Sequence, residues 1–333
     1  MAAPPRLQGL GEQSFRPHPL GVGGHLQTLL GFWWRRPLRW DLPTEDVVVD
    51  AGPDVRLLLR ASWQSGPREA RPALVLLHGL GGWDASGYII ATARLAWSQG
   101  WHVVRMNMRG AGDSETLCAR LYNAGLDSDL LAVAAAVEGE TPRMAVAGFS
   151  LGANVALLAA GRSAERLPRG LFGIAAVSPP LDLAACAGAL DQPANRLYQI
   201  YFMRALREGY ARRQRLRPDL FAAGRERGLR SVREYDEAIT APHGGYRDAA
   251  DYYARASAGP HVASIERPAL ILTAADDPMI PLDSVASWPL PASGVVRREI
   301  TPTGGHAGFV GPTVALGRFW AAERVMAFLS ALV

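Results

Sequence analysis

Met144-Ala145-Val146-Ala147-Gly148-Phe149-Ser150-Leu151-Gly152-Ala153-Asn154 is the stretch whose reading decides the fold. Its first six residues form a short continuous apolar run, the pattern of a strand buried on both faces. Beyond Ser150 the chain carries Val155, Leu157 and Leu158 and reads as an apolar helix over residues 152–161. Passing from strand to helix through one residue requires a sharp turn, so the positions two before and two after the serine must lack bulk. Gly148 and Gly152 meet that need, and Ala147 and Ala153 beside them are also small. Such a turn lifts the serine hydroxyl clear of its own backbone and offers it as a nucleophile. A helix start with an ordinary serine cap shares the composition, but the strand before Ser150 and the apolar helix after it favour the nucleophile.

Outward from this turn the alternation repeats. Strands are expected at residues 73–77, 102–107, 144–149, 171–177, 269–274 and 295–301, and helices at 86–99, 127–138, 152–161 and 313–332. Short apolar strands bracketed by helices imply an α/β fold, a mostly parallel sheet covered on both faces. Residues 47–49 and 55–63 read as a hairpin around Gly52-Pro53-Asp54, and residues 1–45 as an N-terminal arm with a short helix from His25. Between 179 and 264 the strand rhythm stops and only helical pattern remains. Because it resumes at Ala269, this block reads as an inserted helical lid, with the core domain made of 46–178 and 265–333. A block inserted there would sit over the crevice at the strand C-terminal ends.

Composition sets outer bounds. The chain has 333 residues, 49% hydrophobic and 20% charged, the balance of a protein that buries a sizeable core. The net charge is +4, yet all 35 basic residues are arginine. A wholesale bias of that kind reflects composition rather than selection for phosphate, and no nucleic-acid signature accompanies it. The densest basic stretch, Arg204 to Arg233, could steer anionic substrates or lipid headgroups, but reads first as a solvated helical face. Only Cys118 and Cys186 are present, too few for a disulfide framework or a zinc site, which suggests a reducing compartment. No signal peptide and no apolar run of the roughly 18–20 residues a membrane span needs are apparent, so a cytoplasmic location is expected. Residues 26–34, rich in Leu and Trp and followed by Arg35 and Arg36, are the most membrane-friendly piece, open to peripheral contact but read as a buried helix.

A serine hydroxyl needs a base. Of seven histidines, His306 lies in Gly304-Gly305-His306-Ala307-Gly308, after the last strand and before the final helix. Its glycines suggest a tight loop that aims an imidazole back over the sheet, and it comes last in the order serine, acid, histidine. His78, in Leu77-His78-Gly79-Leu80-Gly81-Gly82, follows a strand in a turn suited to backbone oxyanion donors and is not read as a base. The donors expected are the amides of Leu80 and Leu151. Asn107-Met108-Arg109-Gly110-Ala111-Gly112 lacks the dinucleotide-binding spacing and reads as structural. No metal or organic cofactor is implied.

With these residues placed, the chain resembles the YheT-like branch of the α/β hydrolases, related to the ABHD-type lipases and esterases. The likeness is carried by Gly24-His25-Leu26-Gln27-Thr28, His78-Gly79-Leu80, Tyr122-Asn123-Ala124-Gly125 with Asp129, and Gly148 to Asn154. It continues through Glu234-Tyr235-Asp236, Gly245-Tyr246, Tyr252-Tyr253 with Ser257, Asp276-Asp277-Pro278 and Gly304 to Phe309. The resemblance implies cleavage of acyl esters, with Ser150, Asp277 and His306 as the triad. The two adjacent acids need separating. Successive side chains on extended backbone point to opposite sides, so one of them faces His306. Pro278 biases its predecessor toward extended geometry, and Asp277-Pro278-Met279-Ile280-Pro281 resembles the Asp-x-x-x-Pro pattern of many α/β hydrolases. Asp277 is therefore the expected acid, and Asp276 a turn or capping residue.

The expected function is a carboxylic ester hydrolase acting on a small-molecule acyl ester through an acyl-Ser150 intermediate. An acyltransferase with an alcohol acceptor and a non-catalytic ligand binder remain as alternatives. His25 reads as a helix-start or packing residue. Tyr198, Tyr201, Phe202 and Tyr210 could line an acyl pocket under the lid, but at near-helical spacing they read first as core.

Overall fold

The computed structural model describes residues 14–316 and 319–333. Eight strands form one sheet: β1 (Glu45–Asp50), β2 (Arg56–Ser62), β3 (Ala73–Leu77), β4 (His102–Met106), β5 (Met144–Phe149), β6 (Leu171–Val177), β7 (Ala269–Ala274) and β8 (Val296–Thr301). Their order is β1-β2-β4-β3-β5-β6-β7-β8. The β1–β2 hairpin is antiparallel, as is its junction with β4, and every pairing from β4 to β8 is parallel.

Helices cover both faces. In chain order they are α1 (Gly24–Arg35), α2 (Gly87–Ser98), α3 (Asp127–Glu138), α4 (Leu151–Arg162), α5 (Leu183–Leu190), α6 (Arg196–Leu216) and α7 (Val232–Tyr235). They continue with α8 (Ala241–Gly244), α9 (Ala249–Ala256), α10 (Asp283–Ala286) and α11 (Trp320–Ser330). Strand side chains alternate between two cores: Ala73, Val75 and Leu77 of β3 join one, Leu74 and Leu76 the other. Both faces are apolar because both are covered, which is why the strands lack an alternating polar pattern.

Among the described residues no strand lies between Val177 and Ala269. That stretch folds as α5 to α9 and has a small core of its own, including Tyr198, Met203, Tyr210, Phe221 and Tyr235. Met279, just past β7, belongs to the same cluster and ties the helical block to the sheet.

The last helix departs from the expectation of one element over 313–332. A 3-10 turn occupies Pro312–Leu316, and α11 begins only at Trp320. Phe319 is extended, with φ −111° and ψ 121°, and is buried, so packing of its ring sets the break before the helix. The basic stretch also departs in one place. Arg213 is buried, and its guanidinium donates to the carbonyls of Cys118 and Arg109, clamping the loop between them.

Candidate active site

Ser150 sits between β5 and α4 with φ 52° and ψ −121°, a conformation that L side chains avoid. The turn is held because its neighbours leave no room for relaxation. A Cβ on Gly148 would lie 2.4 Å from the carbonyl oxygen of Gly152, and one on Gly152 would lie 2.5 Å from that of His78. The Ser150 amide donates to Val177 O at 2.9 Å, fastening the turn to β6.

His306 Nε2 lies 2.9 Å from Ser150 Oγ, and His306 Nδ1 lies 2.9 Å from Asp277 Oδ2. The Asp277 side chain is fully buried, and its other oxygen accepts from the amides of Met279 and Ile280 at 2.9 and 3.1 Å. The carboxylate is therefore fixed at both oxygens, with Oδ2 reserved for the imidazole. Asp276 points elsewhere: its Oδ1 accepts from the Gly305 amide at 2.9 Å, bracing the histidine loop from below.

That loop is strained. Gly304 and Gly305 have φ 155° and 58°, and Ala307 and Phe309 are left-handed without being glycine. Ser178 Oγ accepts from the Ala307 amide at 3.0 Å. Further support comes from α1, far away in sequence. Thr28 Oγ1 accepts from the His306 amide at 2.8 Å. Gln27, fully buried, accepts from the Val310 amide at 2.7 Å and donates to Val310 O at 3.2 Å. Arg35 donates to Ala307 O at 2.7 Å and also to Gly308 O. Burial pushes the Arg35 guanidinium down to about 10.

The turn after β3 lies against Ser150. Gly79 donates to Tyr88 Oη and Gly81 to Tyr122 Oη, each at 2.9 Å. These two tyrosines fix the amides on either side of Leu80, whose own N–H meets no acceptor among the described residues. Leu151 is the first residue of α4, where an N–H has no partner within the helix. Leu80, Leu151, Ser150 and His306 all border one cavity of about 510 Å³.

His78 is not available as a base. It is fully buried, with Nδ1 2.8 Å from Gly79 O and Nε2 accepting from the Met108 amide at 3.1 Å. Those bonds select the neutral tautomer with the proton on Nδ1, and burial pushes the group down to about 4. Arg109 is bound by Nε and Nη2 to both oxygens of Asp129 at 2.7 and 2.5 Å, and its turn also borders the cavity. Asn154 ties the elbow helix to two other motifs, donating to Ala124 O and Ala256 O and accepting from the Ala258 amide.

Three features go further than the sequence reading. Phe202 and Tyr210 of α6 border the cavity as well as packing in a core. His25 Nδ1 lies 3.1 Å from Tyr198 Oη, linking α1 to α6. Asp236 also reaches the cavity wall, with Tyr253 donating to it at 2.8 Å, and burial pushes it up to about 6. Its only sequence signal was membership of the Glu234-Tyr235-Asp236 motif.

Residues 72–311 match the family model for the alpha/beta hydrolase fold. The chain is 31% identical over 313 residues to YheT of Escherichia coli (strain K12), a proposed esterase, covering 92% of this chain and 90% of that one. Phospholipase ABHD3 of Mus musculus is 29% identical over 243 residues, covering 72% of this chain and 59% of its own length. Among solved structures, 2,6-dihydroxy-pseudo-oxynicotine hydrolase superposes with a TM-score of 0.58 at 17% identity, covering 93% of this chain and 81% of that one. At that identity the likeness is one of fold. On the family match, the identity to YheT and the eight-stranded sheet together, the chain belongs to the α/β-hydrolase family, in its YheT-like branch.

Proposed function

We propose that this protein hydrolyses carboxylic esters through an acyl-enzyme on Ser150. The observation that carries the reading is the hydrogen-bonded chain from Ser150 through His306 to Asp277 at the wall of a largely apolar cavity. With its proton on Nδ1 and directed at Asp277, the imidazole keeps the Nε2 lone pair for the Ser150 hydroxyl. Ser150 Oγ attacks the ester carbonyl as Nε2 takes its proton, and the amides of Leu80 and Leu151 receive the developing oxyanion. The imidazolium, stabilised by Asp277, returns the proton to the departing alkoxide. Water then repeats the sequence on the acyl-enzyme and frees the acid.

The apolar wall suits an acyl chain. Leu183 and Leu190 come from α5, Phe202 and Leu206 from α6, and Val232 from α7, so residues 179–264 act in this reading as a lid that shapes the acyl site. A volume of about 510 Å³ lies within the usual range for a small-molecule site. The names of YheT and ABHD3 agree with an ester substrate.

The test is labelling with a fluorophosphonate probe alongside turnover of p-nitrophenyl esters of graded chain length. Wild type should be labelled and active, and Ser150→Ala neither. Folded wild-type protein that takes no label and cleaves no ester in the series would reject the reading in favour of a binding protein.

A further inference from the structure

Soluble proteins rarely expose wide contiguous apolar patches unless something docks there. This chain exposes one over its candidate site. Against the expectation of a buried helix over residues 26–34, Leu26, Leu29, Phe32 and Trp33 of α1 are all solvent-facing, Trp33 to 63%. On α6, Leu197, Ile200 and Tyr201 form a stripe at helical spacing, with Leu197 exposed to 71%. The edge of the Phe32 ring meets Tyr201 at a centroid distance of 6.0 Å, and the His25–Tyr198 contact joins the helices a turn away. The two stripes therefore form one surface.

Its position matters. The opposite side of α6 lines the cavity through Phe202, Ala205 and Leu206. The inner side of α1 holds the His306 loop through Thr28. One pair of helices thus presents the candidate site inward and bare apolar surface outward.

Charge identifies the occupant. No acidic residue occurs in α1, and exposed Arg36 and Arg39 follow at its end. Arg196, Arg204 and Arg207 are exposed on α6, whose single acid, Glu208, pairs with Arg204. An apolar centre containing Trp, Phe and Tyr with an arginine fringe matches a helix lying in a lipid interface. A second copy fits poorly, because a two-fold contact would bring the same arginines together.

We propose that the paired outer faces of α1 and α6 dock on an anionic lipid bilayer, with the apolar side chains entering the acyl boundary and the arginines meeting headgroup phosphates. The docking goes beyond the hydrolytic reading and does not require Ser150 to turn over.

The test is flotation of the full chain with vesicles of phosphatidylcholine alone or mixed with phosphatidylglycerol, with light scattering in parallel. Wild type should float with the anionic vesicles, less so as salt rises, and weakly with phosphatidylcholine. Trp33→Ser and Ile200→Ser should each lower partitioning about tenfold. Arg36→Gln and Arg196→Gln should each lower it about fivefold, on anionic vesicles only. Cleavage of a water-soluble short ester should be unchanged in all four, which separates lost docking from lost folding. Failure of wild type to float, flotation of both serine variants at the wild-type level, or a wild-type dimer made monomeric by Trp33→Ser would each overturn the proposal.

Discussion

Thr28 Oγ1 receives the backbone N–H of His306 at 2.8 Å, across 278 positions of sequence. The backbone that carries the imidazole is thereby tied to α1 as well as to Asp276 and Ser178. Thr28→Val keeps the shape but leaves a half-buried amide without its acceptor, at a cost of about 1–3 kcal/mol. In the proposed hydrolase, kcat on a soluble ester should fall about tenfold with little change in KM, and Thr28→Ser should restore it. Equal kcat in Val and Ser variants of matched Tm would remove Thr28 from the positioning role.

The neighbouring acids should differ sharply. Asp277→Asn keeps its one oxygen on the Met279 and Ile280 amides and puts the –NH2 at the Oδ2 position, where it donates to Nδ1 and favours the wrong imidazole tautomer. In the serine-protease precedent that change costs about 10⁴ in kcat. Asp276→Asn retains an oxygen for the Gly305 amide, and its nitrogen would occupy the place of Oδ2, which is buried without a partner among the described residues. Its activity should stay within about tenfold of wild type. Steady-state rates on folded variants decide, and the reverse ranking would move the acid to Asp276.

Gly24 is a packing requirement. A Cβ there would stand 1.7 Å from the backbone carbonyl oxygen of Asp276, which cannot swing aside like a side chain. Gly24→Ala should shift α1 off the loop carrying both acids, with about 1–3 kcal/mol of destabilisation and a loss of activity. Thermal melts and ester turnover measure the two effects, and a fully active variant of unchanged Tm would show that α1 yields freely.

Asp236 makes stability depend on pH. Burial raises its carboxyl from 3.8 to about 6 against the hydroxyls of Tyr253 and Thr240 and the charge of Arg233. The folded state therefore holds the proton more tightly than the unfolded chain. That contribution is complete below about pH 4 and disappears as pH rises through about 6. Asp236→Asn should be the more stable protein at pH 8, by up to about 3 kcal/mol, and show a smaller advantage at pH 4. Denaturant melts across that range check it; a gap that stays constant with pH would show that Asp236 titrates normally.

The parts legible in sequence were those governed by local rules. Apolar runs gave the strands at residues 73–77 and 144–149 to the residue, because burial on both faces leaves no polar alternation to confuse them. Ser150 and His306 could be read because each sits among glycines that its backbone demands. What escaped reading was long-range. Gln27 and Thr28 are polar residues inside an apolar helix, a signal of buried partners, but nothing local says the partners are Val310 and His306. Phe202 and Tyr210 show one helical period whether they face a core or a cavity. The break before Trp320 depends on where Phe319 packs, which periodicity does not encode.

The clasp of α1 on the histidine loop also has a consequence in time. During synthesis α1 leaves the ribosome long before Gly305 to Val310, 278 positions separating Thr28 from His306, and must wait for that loop before the clasp can close. Contacts of such separation carry a large loop-closure cost and form late. The sheet should therefore be in place before the last of the site is fastened. In refolding, sheet signals should recover first and esterase activity last.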